Sequence, residues 1–80
     1  MVYNLPENSM WTLKQIRELR GLKQKEAAEM IGISADTLGN YEKGKSYPDV
    51  PVIKKIEKVY DLPYARIIFL PLDFGLTENN

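Results

Sequence analysis

The 80-residue sequence predicts an all-α fold, a compact bundle of five helices flanked by an extended arm at each end. Two observations carry this expectation. Short apolar repeats spaced three and four apart run through the middle of the chain, with cap-type residues in front of them and Gly or Pro behind. The stretch from Lys23 to Gly44, KQKEAAEMIGISADTLGNYEKG, then holds two such repeats with only a short turn between them. Helices joined by so few residues cannot lie antiparallel. The small side chains of Ala27, Ala28 and Gly32 let their axes approach closely and cross steeply, which is the helix-turn-helix arrangement.

The elements follow in order. Residues 1–11 mix apolar residues with Asn4, Pro6 and Asn8 and read as an extended arm in which Val2 and Tyr3 can add to a sheet edge or pack on the body. Thr12 and Gln15 have capping-box spacing, so the first helix starts there; Leu13, Ile16 and Leu19 line it, Lys14, Arg17 and Arg20 lie on or near its polar side, and Gly21 stops it. The second helix is expected from about Gln24 to Ile31, with Ala27, Ala28, Met30 and Ile31 inward and Gly32 as a left-handed stop. Ser34 is the N-cap of the third helix, Ala35 to Lys43, whose Leu38 and Tyr41 turn inward and which Gly44 ends. Asp49 caps the fourth, Pro51 is tolerated in its first turn, and Ile53, Ile56, Val59 and Tyr60 form its stripe opposite Lys54, Lys55 and Lys58. Asp61-Leu62-Pro63 breaks it, and Tyr64, Ile67 and Ile68 suggest a short fifth helix closing the core. Beyond, Leu70, Leu72, Phe74 and Leu76 alternate with a period of two, an apolar arm that packs on the domain or joins two copies. The organisation is thus an arm at 1–11, a body at 12–69 and an apolar arm at 70–80.

Composition narrows the classes. Eighty residues make one domain, and 44% hydrophobic residues supply an adequate core. The chain has no cysteine, hence no disulfide framework or thiolate metal site, which suits the cytoplasm. No apolar run approaches the ~18 residues that span a bilayer, and no basic segment followed by an apolar one opens the chain. With no histidine, no cysteine, no glycine-rich phosphate loop and no convergent carboxylate pair, an enzyme is the weakest reading, and neither a metal nor a cofactor is expected.

From Leu13 to Phe69 the sequence resembles the phage repressor and Cro-type helix-turn-helix family, in the branch of small regulators of low-GC Gram-positive bacteria and their phages. Gln24, Ala28, the Gly32-Ile33-Ser34 turn, Leu38, Glu42, Gly44 and the Leu19-Arg20-Gly21-Leu22 corner carry the likeness. It implies a lambda repressor-like DNA-binding domain, with residues 34–43 as a recognition helix entering the major groove. It also implies an inward ion pair between Arg17 and Glu42, with a second contact from Arg17 to phosphate, and it places Gln24 on the DNA backbone. Lys23 departs from the family, which has Ser or Thr at that cap; lysine cannot accept an amide hydrogen bond but can reach a phosphate.

On this reading Ala35, Asp36, Thr37, Gly39 and Asn40 face base edges. Asn40 is the best reader because its amide matches the donor and acceptor of adenine, Ala35 or the Thr37 methyl suits a thymine methyl, and Asp36 can accept from a cytosine amino group. Gly39 inside a helix costs about 0.8–1 kcal/mol against alanine, so close approach to DNA or a partner should offset it. Arg17, Lys23, Gln24, Lys43, Lys45, Ser46 and Tyr47 are the expected phosphate contacts. The net charge is zero, yet between Leu13 and Lys58 ten basic side chains face seven acidic ones. The expected protein is a nucleoid-associated regulator, a repressor or Cro-like switch acting as a homodimer on a double-stranded operator. The rival is an antirepressor that grips another repressor protein with the same scaffold; Asp36, Gly39 and the neutral balance favour it.

Overall fold

A computed structural model describes residues 5, 6 and 8–70. Its elements are β1 (Trp11–Thr12), α1 (Leu13–Leu19), α2 (Gln24–Ile31), α3 (Ala35–Lys43), α4 (Val50–Tyr60), a single 3-10 turn (Tyr64–Arg66) and β2 (Ile67–Ile68). Among the described residues there are therefore four α-helices rather than five. Pro63 leads the chain into one tight turn, after which the β-branched pair Ile67-Ile68 is extended and pairs parallel with β1, Trp11 opposite Ile67 and Thr12 opposite Ile68. Tyr64, Ile67 and Ile68 thus close the body as a turn and a strand. No helix among the described residues is long and apolar enough to cross a membrane.

Local chemistry sets each boundary. Thr12 Oγ1 accepts from the Gln15 amide at 3.1 Å and Gln15 Oε1 accepts from the Thr12 amide at 3.0 Å, the reciprocal box expected for α1. Ser34 Oγ accepts from the Thr37 amide at 3.0 Å and Asp49 Oδ1 from the Val52 amide at 3.2 Å. At α2 the Lys23 side chain offers no cap; Glu26 reaches back to the Lys23 amide at 2.8 Å and satisfies that donor instead. Gly32 ends α2 at φ 93° and Gly44 ends α3 at φ 79°, where a Cβ would be strained. Asp61 ends α4 at φ 52° without being glycine. Arg20 accounts for its stability: its Nε donates to the Tyr60 carbonyl at 2.8 Å and its Nη2 to the Asp61 carbonyl at 3.2 Å, a cation on the negative end of the helix.

The core is built from Leu13, Ile16, Ala27, Ala28, Ile31, Leu38, Ile56, Tyr60, Leu62 and Ile67. Two residues expected inward are not. Met30 lies about 100° around α2 from its buried neighbour Ile31 and is exposed, and Leu19, in the last turn of α1, is at the surface. The described part of the N-terminal arm is tied to the body through Arg66, which donates from Nε to the Ser9 carbonyl at 2.9 Å and from Nη2 to the Pro6 carbonyl at 2.7 Å. Val2, Tyr3, Leu72, Phe74 and Leu76 lie outside the described residues.

One buried ion pair joins α1 to α3. Arg17 and Glu42 are 8% and 9% exposed, with Arg17 Nε 2.7 Å from Glu42 Oε2 and Nη2 3.3 Å from Oε1. Arg17 Nη1 also donates to the Leu22 carbonyl at 2.9 Å, pinning the corner between α1 and α2. The hydrogen bond to Glu42 raises the guanidinium pKa against the opposing effect of burial. Nearby, the Tyr60 hydroxyl is buried with no hydrogen-bond partner, and burial, reinforced by the Glu42 carboxylate, pushes its pKa well up.

These contacts set two expectations. Replacing one partner leaves a stranded charge, so Arg17→Met or Glu42→Leu alone should lower the unfolding free energy by about 3–5 kcal/mol in urea titrations, and the double variant by much less than the sum. Additive losses would contradict the pairing. For Tyr60, the folded-state pKa is raised above the ordinary 10.0, so its contribution to stability is intact below that pH and lost above it, where the unfolded chain sheds the proton and the folded one keeps it. Tyr60→Phe should be at least as stable as the parent at pH 7 and decline less towards pH ~11; an equal alkaline decline in both would refute this.

Candidate nucleic-acid interface

The Gly32-Ile33-Ser34 turn sets α3 against the start of α2, and the two helices meet through polar side chains as well as the core. Gln24, the first residue of α2, lays its amide over Gly39 in the middle of α3; a Cβ built at Gly39 would stand 3.4 Å from Gln24 Nε2 and 3.6 Å from Oε1. Gln24 Nε2 donates to Glu42 Oε1 at 3.1 Å, the same oxygen that accepts from Arg17 Nη2. The Gln24 amide is therefore held from below by the ion pair, with one N–H engaged and the other free.

Around it lie two adjoining concavities. One, of about 280 Å³, is lined by Gln24, Ala35, Asp36, Gly39, Asn40 and Lys43. The second, of about 330 Å³, is lined by Lys14, Arg17, Gln24, Gly39, Glu42 and Lys43. The fold thus gathers four of the five expected base-facing residues, Ala35, Asp36, Gly39 and Asn40, beside Gln24 and Lys43. Asp36, Asn40 and Lys43 are exposed and Ala35 is half-buried. Gly39, expected outward, is buried because the Gln24 amide covers it. Thr37 lines neither concavity; it is half-buried, and its hydroxyl accepts from Ser34 Oγ at 2.9 Å.

The expected phosphate-contacting residues divide. Lys23, Lys43, Lys45 and Ser46 are exposed. Lys45 follows the left-handed Gly44, and its amide donates to the Asn40 carbonyl at 2.9 Å, which fixes the start of the loop. Arg17 is turned inward, all three guanidinium nitrogens bonded to Glu42 or Leu22. The Tyr47 hydroxyl lies 2.8 Å from that of Tyr64, with its ring 4.8 Å from Phe69. That bond, more than slight burial, raises the Tyr47 pKa. Lys14, absent from the expected set, lines the second concavity. Its signal in the sequence is its place three residues before Arg17, hence on the same face of α1.

The arrangement puts acceptors, donors and cations on one polar surface. Among the described residues no group of three or more acidic, histidine or cysteine side chains converges to hold a metal.

The chain is 34% identical over 56 residues to the cryptic phage CTXphi transcriptional repressor RstR of Vibrio cholerae, covering 70% of this chain and 50% of that protein. It is 35% identical over 68 residues to the HTH-type transcriptional regulator SutR of Escherichia coli K12, covering 85% and 38%. Over 50 residues it is 38% identical to the HTH-type transcriptional regulator ImmR of Bacillus subtilis 168, covering 62% and 39%. The chain thus spans half or less of the length of these relatives. A family model described as helix-turn-helix matches residues 13–67, the whole run from the first residue of α1 into β2, and the chain belongs to the helix-turn-helix family.

Proposed function

We propose that the protein is a sequence-specific DNA-binding transcriptional regulator, a repressor or Cro-like switch of phage or mobile-element type, which sets α3 into the major groove of an operator. The observation that carries this reading is the outer edge of α3, where Asn40, Asp36 and Lys43 stand exposed around a Gln24 amide already locked in place. Transcriptional regulators and a phage repressor among the relatives support it. Asn40 reads adenine through its paired donor and acceptor, Ala35 meets a thymine methyl and Asp36 accepts from a cytosine amino group. Lys14, Lys23, Lys43, Lys45 and Ser46, with the free N–H of Gln24, hold phosphates and set register. Arg17 orients this set from inside through Glu42, and Tyr47 is left out of it. One such module makes few base contacts, so a two-fold dimer on half-sites about one helical turn apart completes the reading.

Asp36 favours a second reading, an antirepressor, because its exposed carboxylate would oppose phosphates but suit a basic protein surface. A mobility-shift assay on DNA flanking the gene, at 50 and 200 mM salt, separates the two. Binding to a defined site that weakens steeply with salt supports the DNA reading; no retardation at either salt rejects it.

Asn40→Ala should relax preference at one base position, at a cost of about 1–3 kcal/mol for the preferred base, while Lys45→Ala weakens every sequence alike. Equal effects of both on all sequences would refute the division of roles. Gly39→Ala should stabilise the free protein by about 0.8–1 kcal/mol, because the added Cβ meets Gln24 only at ordinary contact distance. It should also weaken operator binding, since the methyl occupies part of the concavity that Gly39 lines; undiminished affinity would show that Gly39 has no part in recognition.

A further inference from the structure

Tyr47, Val50 and Tyr64 are 55%, 63% and 47% exposed, a concentration of apolar surface apart from the α2–α3 face. With half-buried Ile53 they border a groove of about 590 Å³. Its aromatic wall is braced: the Tyr47 and Tyr64 hydroxyls lie 2.8 Å apart, and the Phe69 ring packs with its centroid 4.8 Å from that of Tyr47 and 5.6 Å from that of Tyr64. The rest of the lining comes from α4, where Val50, Ile53, Lys54 and Glu57 follow at three- and four-residue intervals and so share one face, and from Asp49, the cap of that helix. The ionic lining is therefore two carboxylates, Asp49 and Glu57, against one ammonium, Lys54, which forms an ion pair with neither. Each carboxylate uses one oxygen to hold the fold, Asp49 Oδ1 accepting the Val52 amide at 3.2 Å and Glu57 Oε2 the Tyr64 amide at 2.6 Å. The second oxygen of each retains its capacity to accept.

We propose that this groove docks a segment of a partner protein in which an arginine stands beside apolar side chains. The charge of the lining sets the sign of the occupant, because an entering cation balances the one negative charge that Lys54 leaves over. The mixture of tyrosine rings and carboxylates selects arginine over lysine. A planar, weakly hydrated guanidinium can bond a carboxylate along its edge while its face rests on a ring, whereas an ammonium holds its water. The apolar neighbours of the arginine cover Val50 and Ile53. The same charge count disfavours two other occupants: a second copy brings an equal excess of negative charge to the shared face, and a nucleic acid brings phosphates to two carboxylates. No residue lining this groove lines either concavity beside α3, so its occupancy does not depend on DNA binding.

The test is NMR on the full chain without DNA, titrated with the peptide acetyl-Leu-Arg-Leu-amide. Expected are saturable shifts of the Val50 and Ile53 methyls and of the Tyr47 and Tyr64 rings, with a Kd of about 1 mM, while the methyls of Ile16 and Leu38 stay in place. Citrulline in place of the arginine keeps the shape and removes the charge, and should weaken binding at least about fivefold. Asp49→Asn keeps a capping oxygen and Glu57→Gln keeps an acceptor for the Tyr64 amide, so both variants fold; each should weaken binding about two- to fivefold, and Lys54→Gln should tighten it by a similar factor. No groove shift at about 10 mM peptide, equal binding of the citrulline peptide, or carboxylate variants that bind as the parent does would overturn the proposal. So would groove resonances that move when the protein alone is diluted, which would make the occupant a second copy, or cross-relaxation of Val50 with residues 71–80 in the free chain, which would make it the chain's own end.

Discussion

The carboxylate of Glu42 is the point on which the domain turns. Its Oε2 takes Arg17 Nε at 2.7 Å, and its Oε1 takes both Arg17 Nη2 at 3.3 Å and Gln24 Nε2 at 3.1 Å. One side chain of α3 thereby binds Arg17 of α1 and Gln24, the first residue of α2. A charge withdrawn from water is costly unless its lone pairs are met, and here they are met in a planar fork that fixes direction as well as distance. Such a pair adds little net stability over an apolar replacement; what it supplies is a single orientation for α3 against its neighbours. The orientation of the Gln24 amide, and hence the floor of the candidate interface, follows from it.

The arginines as a group serve the interior. Arg17 holds Glu42, Arg20 closes the C-terminal end of α4, and Arg66 carries the N-terminal arm through the Ser9 and Pro6 carbonyls. These three are all the arginines in the chain, so the remaining eight basic residues are lysines. The division has a physical reason. A rigid fork with five N–H groups can satisfy several fixed acceptors at once, whereas an ammonium on a flexible stem stays hydrated and suits a surface that meets phosphates as point charges. The surface field of a chain with zero net charge therefore rests on where its lysines lie, and Lys14 and Lys43 both border the second concavity.

Much of the fold was legible because its signals are short-ranged. The Thr12–Gln15 box, the Ser34 and Asp49 caps and the left-handed stops at Gly32 and Gly44 each depend on residues within four positions. The misread elements share a different feature. Met30 and Leu19 belong to short helices in which a residue one step off the stripe still looks apolar enough to be inside. Ile67-Ile68 reads as helix or strand with equal ease until Trp11 and Thr12, more than fifty residues earlier, supply a partner. The Arg17–Glu42 pair came from family likeness rather than from periodicity. The Tyr47–Tyr64 hydroxyl contact joins residues 17 apart and has no local signal.

The amino-acid sequence alone determined where helices begin and end, and that two of them cross at a tight turn, because capping and steric rules act between adjacent residues. The tertiary structure alone decided which polar groups became interior. Glu42 finds Gln24 across 18 residues and Arg17 across 25, and Gly39 is buried because a side chain from another helix covers it. Such encounters depend on how rigid helices pack in three dimensions, and a linear spacing does not encode the side from which a neighbour arrives.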